Sequence, residues 1–484
     1  MKTTIAVLNK RRENATTKII DTLNKVKDKK EKYFGITTFS EKNTEKDPKK
    51  LARLNLNSST IFGYVSSKPL FENNLEFINQ EGYTGIIEGM IYSPTKPFDS
   101  LIKFSNEPKK MVVDFINQIE GDYSFIIIEK EKILATRDQL GIQPLYFGEN
   151  SDFAAIASNR RVLWALGIKC EKTFPPGHIA SVTDKGFEFE LVKKMVQPKQ
   201  KPYGIDEAAR ILQRLLEQSV KIRVVGLDNV AVAFSGGLDS SLVAFLAKKY
   251  CPNVQLIHVS LENQKETEDA LKAAQALNLP LQVHLFKKKD VEATIPQVLR
   301  IIEEHTPLKV NVGIPLYWVA EKTMEAKYSV LLAGQGADEL FGGYQRYVRE
   351  YIKDGSEKVK LTMFNDLINI CESNLERDKK ICNYHDVQLR LPFASYEIVN
   401  FALSLPTDLM FENKMDSLRK LVLRKAAANL GIPKDVTLKP KKAIQYSTGI
   451  SNVLQEIAKK QKTTQDSYLK EKFIAQLELF DGEN

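Results

Sequence analysis

Val230-Ala231-Val232-Ala233-Phe234 runs directly into Ser235-Gly236-Gly237-Leu238-Asp239-Ser240, and from Ser240 to about Lys249 the composition is that of a helix. The first five residues are continuously apolar, as in a strand buried on both faces of a parallel sheet. A strand that ends in a glycine-rich turn and feeds a helix presents backbone N–H groups, and the positive end of the helix, to an anion. An ordinary strand-to-helix turn explains the glycines but not Ser235, Asp239 and Ser240 at these places. The serine hydroxyls can donate to phosphate oxygens, and Asp239 can carry a magnesium ion. The spacing differs from the Gly-x-x-x-x-Gly-Lys-Ser/Thr loop of ATPases and GTPases. The chemistry implied by this type of loop is cleavage of ATP that releases pyrophosphate and leaves an adenylated substrate.

Around this loop the chain alternates helices and apolar strands. A helix is predicted from about Asp206 to Arg223, a strand over Asn229 to Phe234, and another over Val254 to Ser260. A helix from about Glu266 to Leu277 and strands at Leu281 to Phe286 and Tyr328 to Ala333 follow. That rhythm predicts an α/β domain with a parallel sheet and helices on both faces. The tail beyond about Met363 reads as mostly helical. Upstream, Val196 to Gly204 is rich in proline and lysine and reads as a linker. Before it, strand-like runs at Thr4 to Leu8, Tyr33 to Thr38, Ile61 to Val65, Gly85 to Tyr92, Tyr123 to Glu129 and Ile133 to Thr136 alternate with turns. Two more lie near Ile179 to Thr183 and Phe187 to Lys193, and one helical stretch near Thr16 to Val26. This part is expected to be an α+β domain of stacked antiparallel sheets. The expected organisation is therefore 1–195, a linker at 196–204, and 205–484.

Composition narrows the classes. With 484 residues, 43% hydrophobic and 27% charged, the chain can build two or three ordinary cores. No run approaches the roughly 20 apolar residues of a membrane span, and the start lacks a signal peptide's pattern. A cytoplasmic location is the expectation, with no membrane partner. The four cysteines are scattered without a Cys-x-x-Cys pair, which speaks against zinc and disulfides. The net charge of +9 is spread over many segments with no aromatic-interleaved stripe. It reads as solvated surface rather than a nucleic-acid interface.

A second strand-end motif is Leu332-Ala333-Gly334-Gln335-Gly336-Ala337-Asp338-Glu339-Leu340-Phe341-Gly342-Gly343-Tyr344. Ligands of open parallel sheets bind beyond the carboxyl ends of strands, so Asp338 is placed to share a metal with Asp239. Together the two motifs resemble the glutamine-dependent asparagine synthetase family, which includes the related β-lactam synthetases. The resemblance extends through Asn374-Leu375-Glu376-Arg377-Asp378, Arg390-Leu391-Pro392-Phe393, Leu418-Arg419-Lys420 through Ala427, and Lys439-Pro440-Lys441-Lys442 through Gly449. It implies an adenine nucleotide α-hydrolase-like fold with a helical C-terminal part and ATP and Mg2+ as cofactors. ATP contacts would come from Phe234, Ser235, Gly236, Gly237, Asp239, Ser240, Val259 and Gly334, and metal ligands from Asp239 and Asp338. The family's catalytic lysine maps onto Lys441, with Lys442 as the alternative, and Asp378 and Arg390 are candidates for holding the substrate or for structural ion pairs.

Glu120 to Phe125, Thr136 to Tyr146 and Pro175 to His178 resemble the class II glutamine amidotransferase domain, an Ntn-hydrolase-like fold. In that domain a cysteine after the initiator Met becomes the nucleophile. Here position 2 is Lys2, no cysteine precedes Cys170, and Met is not expected to be removed ahead of a bulky lysine. The family's Asn-Gly-Glu-Ile-Tyr-Asn segment is Glu88-Gly89-Met90-Ile91-Tyr92-Ser93, and its glutamine clamp is replaced by Lys27 through Lys32. Glutaminase activity is therefore expected to be lost. In the second domain the family's proton-managing glutamate is Gln335, which cannot act as a base. The acid expected after Pro392-Phe393 is also gone, around Ala394-Ser395.

The resemblance implies an ATP-dependent amide-forming ligase that adenylates a carboxylate, aspartate by default, and then admits ammonia or an amine. The rival expectations are a β-lactam-synthetase-like ligase with another substrate, and a nucleotide-binding regulatory or scaffold protein. A homodimer and a separate ammonia-supplying partner are both compatible with this reading.

Overall fold

In the computed structural model, which describes residues 2–28, 32–54, 56–67, 75–80, 82–93, 107–412, 414–415, 418–440 and 448–482, the chain divides into two compact units. One comprises Met1–Met195 with Leu477–Asn484, the other Val196–Gln476. No helix among the described residues is long and apolar enough to cross a membrane.

The first unit is built on alternation. In strand Lys2–Asn9, Ile5 and Val7 belong to one core cluster while Ala6 and Leu8 belong to another. A period of two sends neighbouring side chains to opposite faces, so one strand feeds two cores. The strand lies within a seven-stranded sheet, flanked by the antiparallel strands Phe153–Ala157 and Thr60–Ser66. Helices Thr16–Val26 and Arg160–Ala165 supply Ile19, Leu23 and Val162 to the cluster on its first face. Its second face meets a six-stranded antiparallel sheet through Phe62, Ile86, Ile126, Ile128 and Ile156. Helix Pro108–Gln118 closes the far side of that sheet with Met111, Phe115 and Ile116. The result is the α+β arrangement of stacked antiparallel sheets expected from the strand-like runs. The strands Lys42–Glu45, Leu75–Gln80, Tyr146–Glu149 and Phe153–Ala157 and the helices Pro108–Gln118 and Arg160–Ala165 had no such reading.

The second unit holds a five-stranded sheet in which every pair is parallel, ordered Leu281–Phe286, Asn253–Leu261, Asn229–Ala233, Val330–Leu332, Gln388–Arg390. Parallel neighbours need crossover helices, and these are present as Leu238–Tyr250, Lys265–Leu277, Lys288–Ile302 and Pro307–Glu325. The last two lie where no element was predicted. Burial nearly all round explains the irregular pattern of the second: its Trp318 is nearly inaccessible, stacks on Phe286 with ring centroids 4.0 Å apart, and donates Nε1–H to Thr294 Oγ1 at 2.9 Å. The helical tail also interrupts itself to contribute the edge strand Gln388–Arg390.

Replacing Ile156, fully buried between the two sheets of the first unit, with alanine is expected to cost about 2–5 kcal/mol, read from the unit's transition in urea denaturation.

Candidate active site

The strand order of the second unit reverses between Asn229–Ala233 and Val330–Leu332. These strands pair in parallel with Val232 opposite Leu332, so both carboxyl ends emerge side by side. A switch of this kind opens the crevice in which α/β sheets bind ligands. The two motifs singled out in the sequence therefore follow adjacent strand ends.

The loop after the first strand is shaped by its own residues. Gly236 adopts φ +66°, and a Cβ there would stand 2.7 Å from Ala270 Cα, so only glycine fits. Ser235 and Ser240 hydroxyls lie 3.3 Å apart, and the Gly237 N–H donates to Ser235 Oγ at 3.3 Å. Helix Leu238–Tyr250 then starts at Gly237 with no side chain capping it, leaving N–H groups of its first turn available to an anion. Lys439 Nζ donates to Gly236 O at 3.3 Å and pairs with Asp269 at 3.2 Å. Phe234 is buried, its carbonyl 2.9 Å from His258 Nδ1, and Val259 is buried one residue further along that strand.

Asp239, in the first turn of the helix, and Asp338, in the short helix Ala337–Leu340, are brought together through a residue that the sequence did not single out. Lys420 Nζ lies 2.6 Å from Asp239 Oδ2 and 2.7 Å from Asp338 Oδ1. Its side chain is only 2% exposed. Two glycines make room. A Cβ on Gly334 would fall 2.9 Å from Asp239 Cβ, and one on Gly343 would fall 1.9 Å from Asp338 Oδ1. Asp239 Oδ1 is buried with no hydrogen-bond partner among the described residues. Two hard oxygen donors, one with an unused buried oxygen, fit magnesium, which takes one or two carboxylates and completes its shell with substrate phosphates and water. No cluster of three or more His, Cys, Asp or Glu suited to a metal occurs among the described residues. Beside the pair, buried Glu339 accepts from Tyr344 Oη at 2.6 Å and Asn374 Nδ2 at 2.9 Å. Burial and the charge of Asp338 push its carboxyl above the usual range.

Gln335 reaches Asp378, whose carboxyl is fully buried and paired with Arg377 Nε at 2.7 Å. Burial raises Asp378, while Arg377 and the hydrogen bond from Gln335 pull it down. Arg390 is also buried and spends its guanidinium on Gln388 Oε1, 2.8 Å from Nε, and on the Arg223 carbonyl. Lys441 and Lys442 lie outside the described residues. Of the described residues flanking them, Lys439 is tied to the phosphate loop, and the Thr448 carbonyl accepts from Leu261 N at 3.3 Å, at the end of the neighbouring strand.

In the first unit, Lys2 and Glu88 face each other. Lys2 Nζ is 3.1 Å from Glu88 Oε1, with the side chains 14% and 6% exposed, and Thr4 Oγ1 donates to Glu88 Oε2 at 2.8 Å. Gly89 keeps φ +122°, and a Cβ there would meet Asp122 O at 2.0 Å. Gly89 thus lets the two backbones approach closely beside a buried ion pair. Neither Lys420 nor this pairing carries a local signal. Lys420 lies in the stretch Leu418 to Ala427 quoted for the family resemblance, which assigned it no role of its own, and Lys2 and Glu88 are distant in sequence.

The first unit is thus one of stacked antiparallel sheets, and the second a parallel sheet with a glycine- and serine-rich loop at its switch point. The asparagine synthase family model matches residues 212–361 and 353–481, and the glutamine amidotransferase domain model matches 78–165. A relative from Methanocaldococcus jannaschii, provisionally named asparagine synthetase [glutamine-hydrolyzing] 1, is 34% identical over 71% of this chain and 72% of its own length. Asparagine synthetase [glutamine-hydrolyzing] 1 of Arabidopsis thaliana is 26% identical over 70% of this chain and 59% of its own. A solved glutamine phosphoribosylpyrophosphate amidotransferase from B. subtilis shares 15% identity over 58% of this chain and 65% of that one, with a TM-score of 0.33. The chain belongs to the asparagine synthase family. In general terms that makes it an ATP-dependent amide ligase acting on small molecules.

His258 supports the loop as a neutral ring, with Nδ1 placed to donate to the Phe234 carbonyl and Nε2 facing Thr267 Oγ1 at 3.2 Å. Burial, reinforced by the charge of Lys439 and opposed by the Phe234 hydrogen bond, holds it below the ordinary histidine value. The unfolded chain therefore binds this proton more readily. Its contribution to stability is complete above about pH 6.5 and is lost as pH falls below that value. Melting temperature followed from pH 7.5 to 5 should fall less steeply for His258→Gln than for the parent chain.

Proposed function

We propose that this protein adenylates a small-molecule carboxylate with ATP and passes the activated acyl group to ammonia or an amine, without a glutaminase of its own. The observation that carries the reading is the convergence of Asp239 and Asp338 beside the loop at Ser235 to Ser240. The N–H groups and hydroxyls of that loop cradle the phosphates. Asp239 and Asp338 would hold magnesium, which supplies charge neutralisation for the departing pyrophosphate. The carboxylate oxygen attacks the α-phosphorus, the bond to the β-phosphate breaks, and pyrophosphate leaves. Lys441 is assigned to stabilise the charge that develops on the α-phosphate. The amine nitrogen then attacks the acyl carbon, AMP departs, and the nitrogen gives up a proton. Gln335 orients but cannot take that proton, so the amine must arrive unprotonated or lose its proton to another group. Asp378 and Arg390, each enclosed by its own partners, act by holding Gln335 and the strand Gln388–Arg390 in place. Aspartate is the default acceptor. Gln335 favours a second reading, in which the acceptor or amine differs as in the β-lactam synthetases.

Loss of glutamine hydrolysis is supported by the Lys2–Glu88 pair, since both the nucleophile and the oxyanion amide have given way to charges that satisfy each other.

Pyrophosphate release measured across a panel of carboxylates and amines should rise above background for one combination and fall about 10²–10³-fold in Asp338→Asn; background rates throughout, with ATP still bound, would leave a nucleotide-binding protein instead. Lys2→Cys should yield no glutamate from glutamine and should lose about 3–5 kcal/mol of stability, because Glu88 is left buried without its cation; substantial hydrolysis would overturn the glutaminase assignment.

A further inference from the structure

One lysine stands where two metal-binding carboxylates meet. Lys420 Nζ touches Asp239 Oδ2 and Asp338 Oδ1 at 2.6 and 2.7 Å, and the ammonium is buried. Its placement is built rather than incidental. Lys420 takes φ +61°, a backbone state that lysine rarely occupies, immediately before helix Leu421–Asn429. Gly343 leaves space for its stem, since a Cβ at that position would lie 2.6 Å from Lys420 Cε.

We propose that Lys420 is a resident counter-ion that keeps the metal position ready in the nucleotide-free protein and gives it up when magnesium arrives with ATP. The inference rests on the proposed metal role of Asp239 and Asp338. Without a cation these carboxylates would repel one another in a partly buried site. A magnesium ion coordinates oxygen at about 2.0–2.1 Å. Bound to the same two oxygens, it would stand so close to the ammonium that the two cations could not share the site without strong repulsion. Free magnesium must therefore displace Lys420 from both carboxylates without bringing an anion of its own. Magnesium entering with the nucleotide brings the phosphates, and the flexible four-carbon stem lets the ammonium turn to them. Lys420 thereby makes metal binding conditional on nucleotide, a positive coupling between two ligands at one centre.

Mn2+ replaces Mg2+ as a paramagnetic probe, titrated into the full-length chain with and without α,β-methylene-ATP, which cannot be cleaved at the relevant bond. Without nucleotide, Lys420→Met should bind Mn2+ at least about 10-fold more tightly than the parent chain. The parent's enhancement of Mn2+ affinity by nucleotide, expected in the range of about 5–150-fold, should largely vanish in the variant. Lys420→Gln provides the same comparison if the methionine variant does not fold. The parent chain alone supplies a further check, because equal Mn2+ affinity with and without the analogue overturns the inference. So does equal nucleotide-free affinity in parent and variant, the result expected of a purely structural ion pair. If Mn2+ binds neither chain even with the analogue present, the metal-site reading itself fails and this inference with it.

Discussion

Two strands distant in the chain, Asn229–Ala233 and Val330–Leu332, lie side by side in parallel at the point where the sheet's strand order turns back. Each strand must be followed by a loop leaving its carboxyl end, and at this point those loops leave in company rather than being covered by the same crossover helix. The phosphate loop, the glycine-rich loop carrying Gln335 and Asp338, and the stretch around Lys420 all take their positions from that adjacency. Gly236, Gly334 and Gly343 then decide how closely the backbones and carboxylates approach, because side chains at these positions would meet Ala270, Asp239 and Asp338. The crevice is a consequence of topology, and its chemistry a consequence of which small residues line it.

What could be read from the sequence follows the strength of local patterns. The apolar strand into Ser235 to Ser240 combined hydrophobic continuity with glycine and hydroxyl chemistry, so it pointed to the parallel sheet and to the strand end where the candidate site lies. The succession of strand-like runs from Thr4 to Lys193 likewise anticipated stacked sheets. By contrast, helix Pro307–Glu325 is apolar nearly all round and shows no simple amphipathic period, whereas Lys288–Ile302 does bury one face, through Val291, Ile295, Val298 and Ile302, and is obscured in the sequence by its internal Pro296. The strand Gln388–Arg390 has three residues, too few to carry any period at all. Lys420 escaped for a different reason: burial of a lysine is set by tertiary partners, Asp239 and Asp338, that lie far from it in sequence. Asp378 and Arg390 were legible as special residues, yet their local sequence did not show that each would be enclosed by Arg377 and Gln335, or by Gln388 and the Arg223 carbonyl.

The two units treat their buried polar groups in opposite ways. In the second, polar groups remain gathered at the strand ends with an unsatisfied carboxylate oxygen on Asp239, a state that costs stability unless a ligand relieves it. In the first, Gly89 and the strands around it persist while Lys2 and Glu88 neutralise each other. One region leaves an acceptor open to a ligand; the other pairs its charges internally.

The Lys2–Glu88 pair also bears on the history open to this chain. Lys2 supplies the cation beside buried Glu88, so a lineage that altered position 2 alone would pass through a protein whose carboxylate keeps Thr4 but loses that cation. On the proposed reading, a nucleophile regained at position 2 would carry that cost unless position 88 changed with it. The pair then works as a ratchet, each change gated by the other.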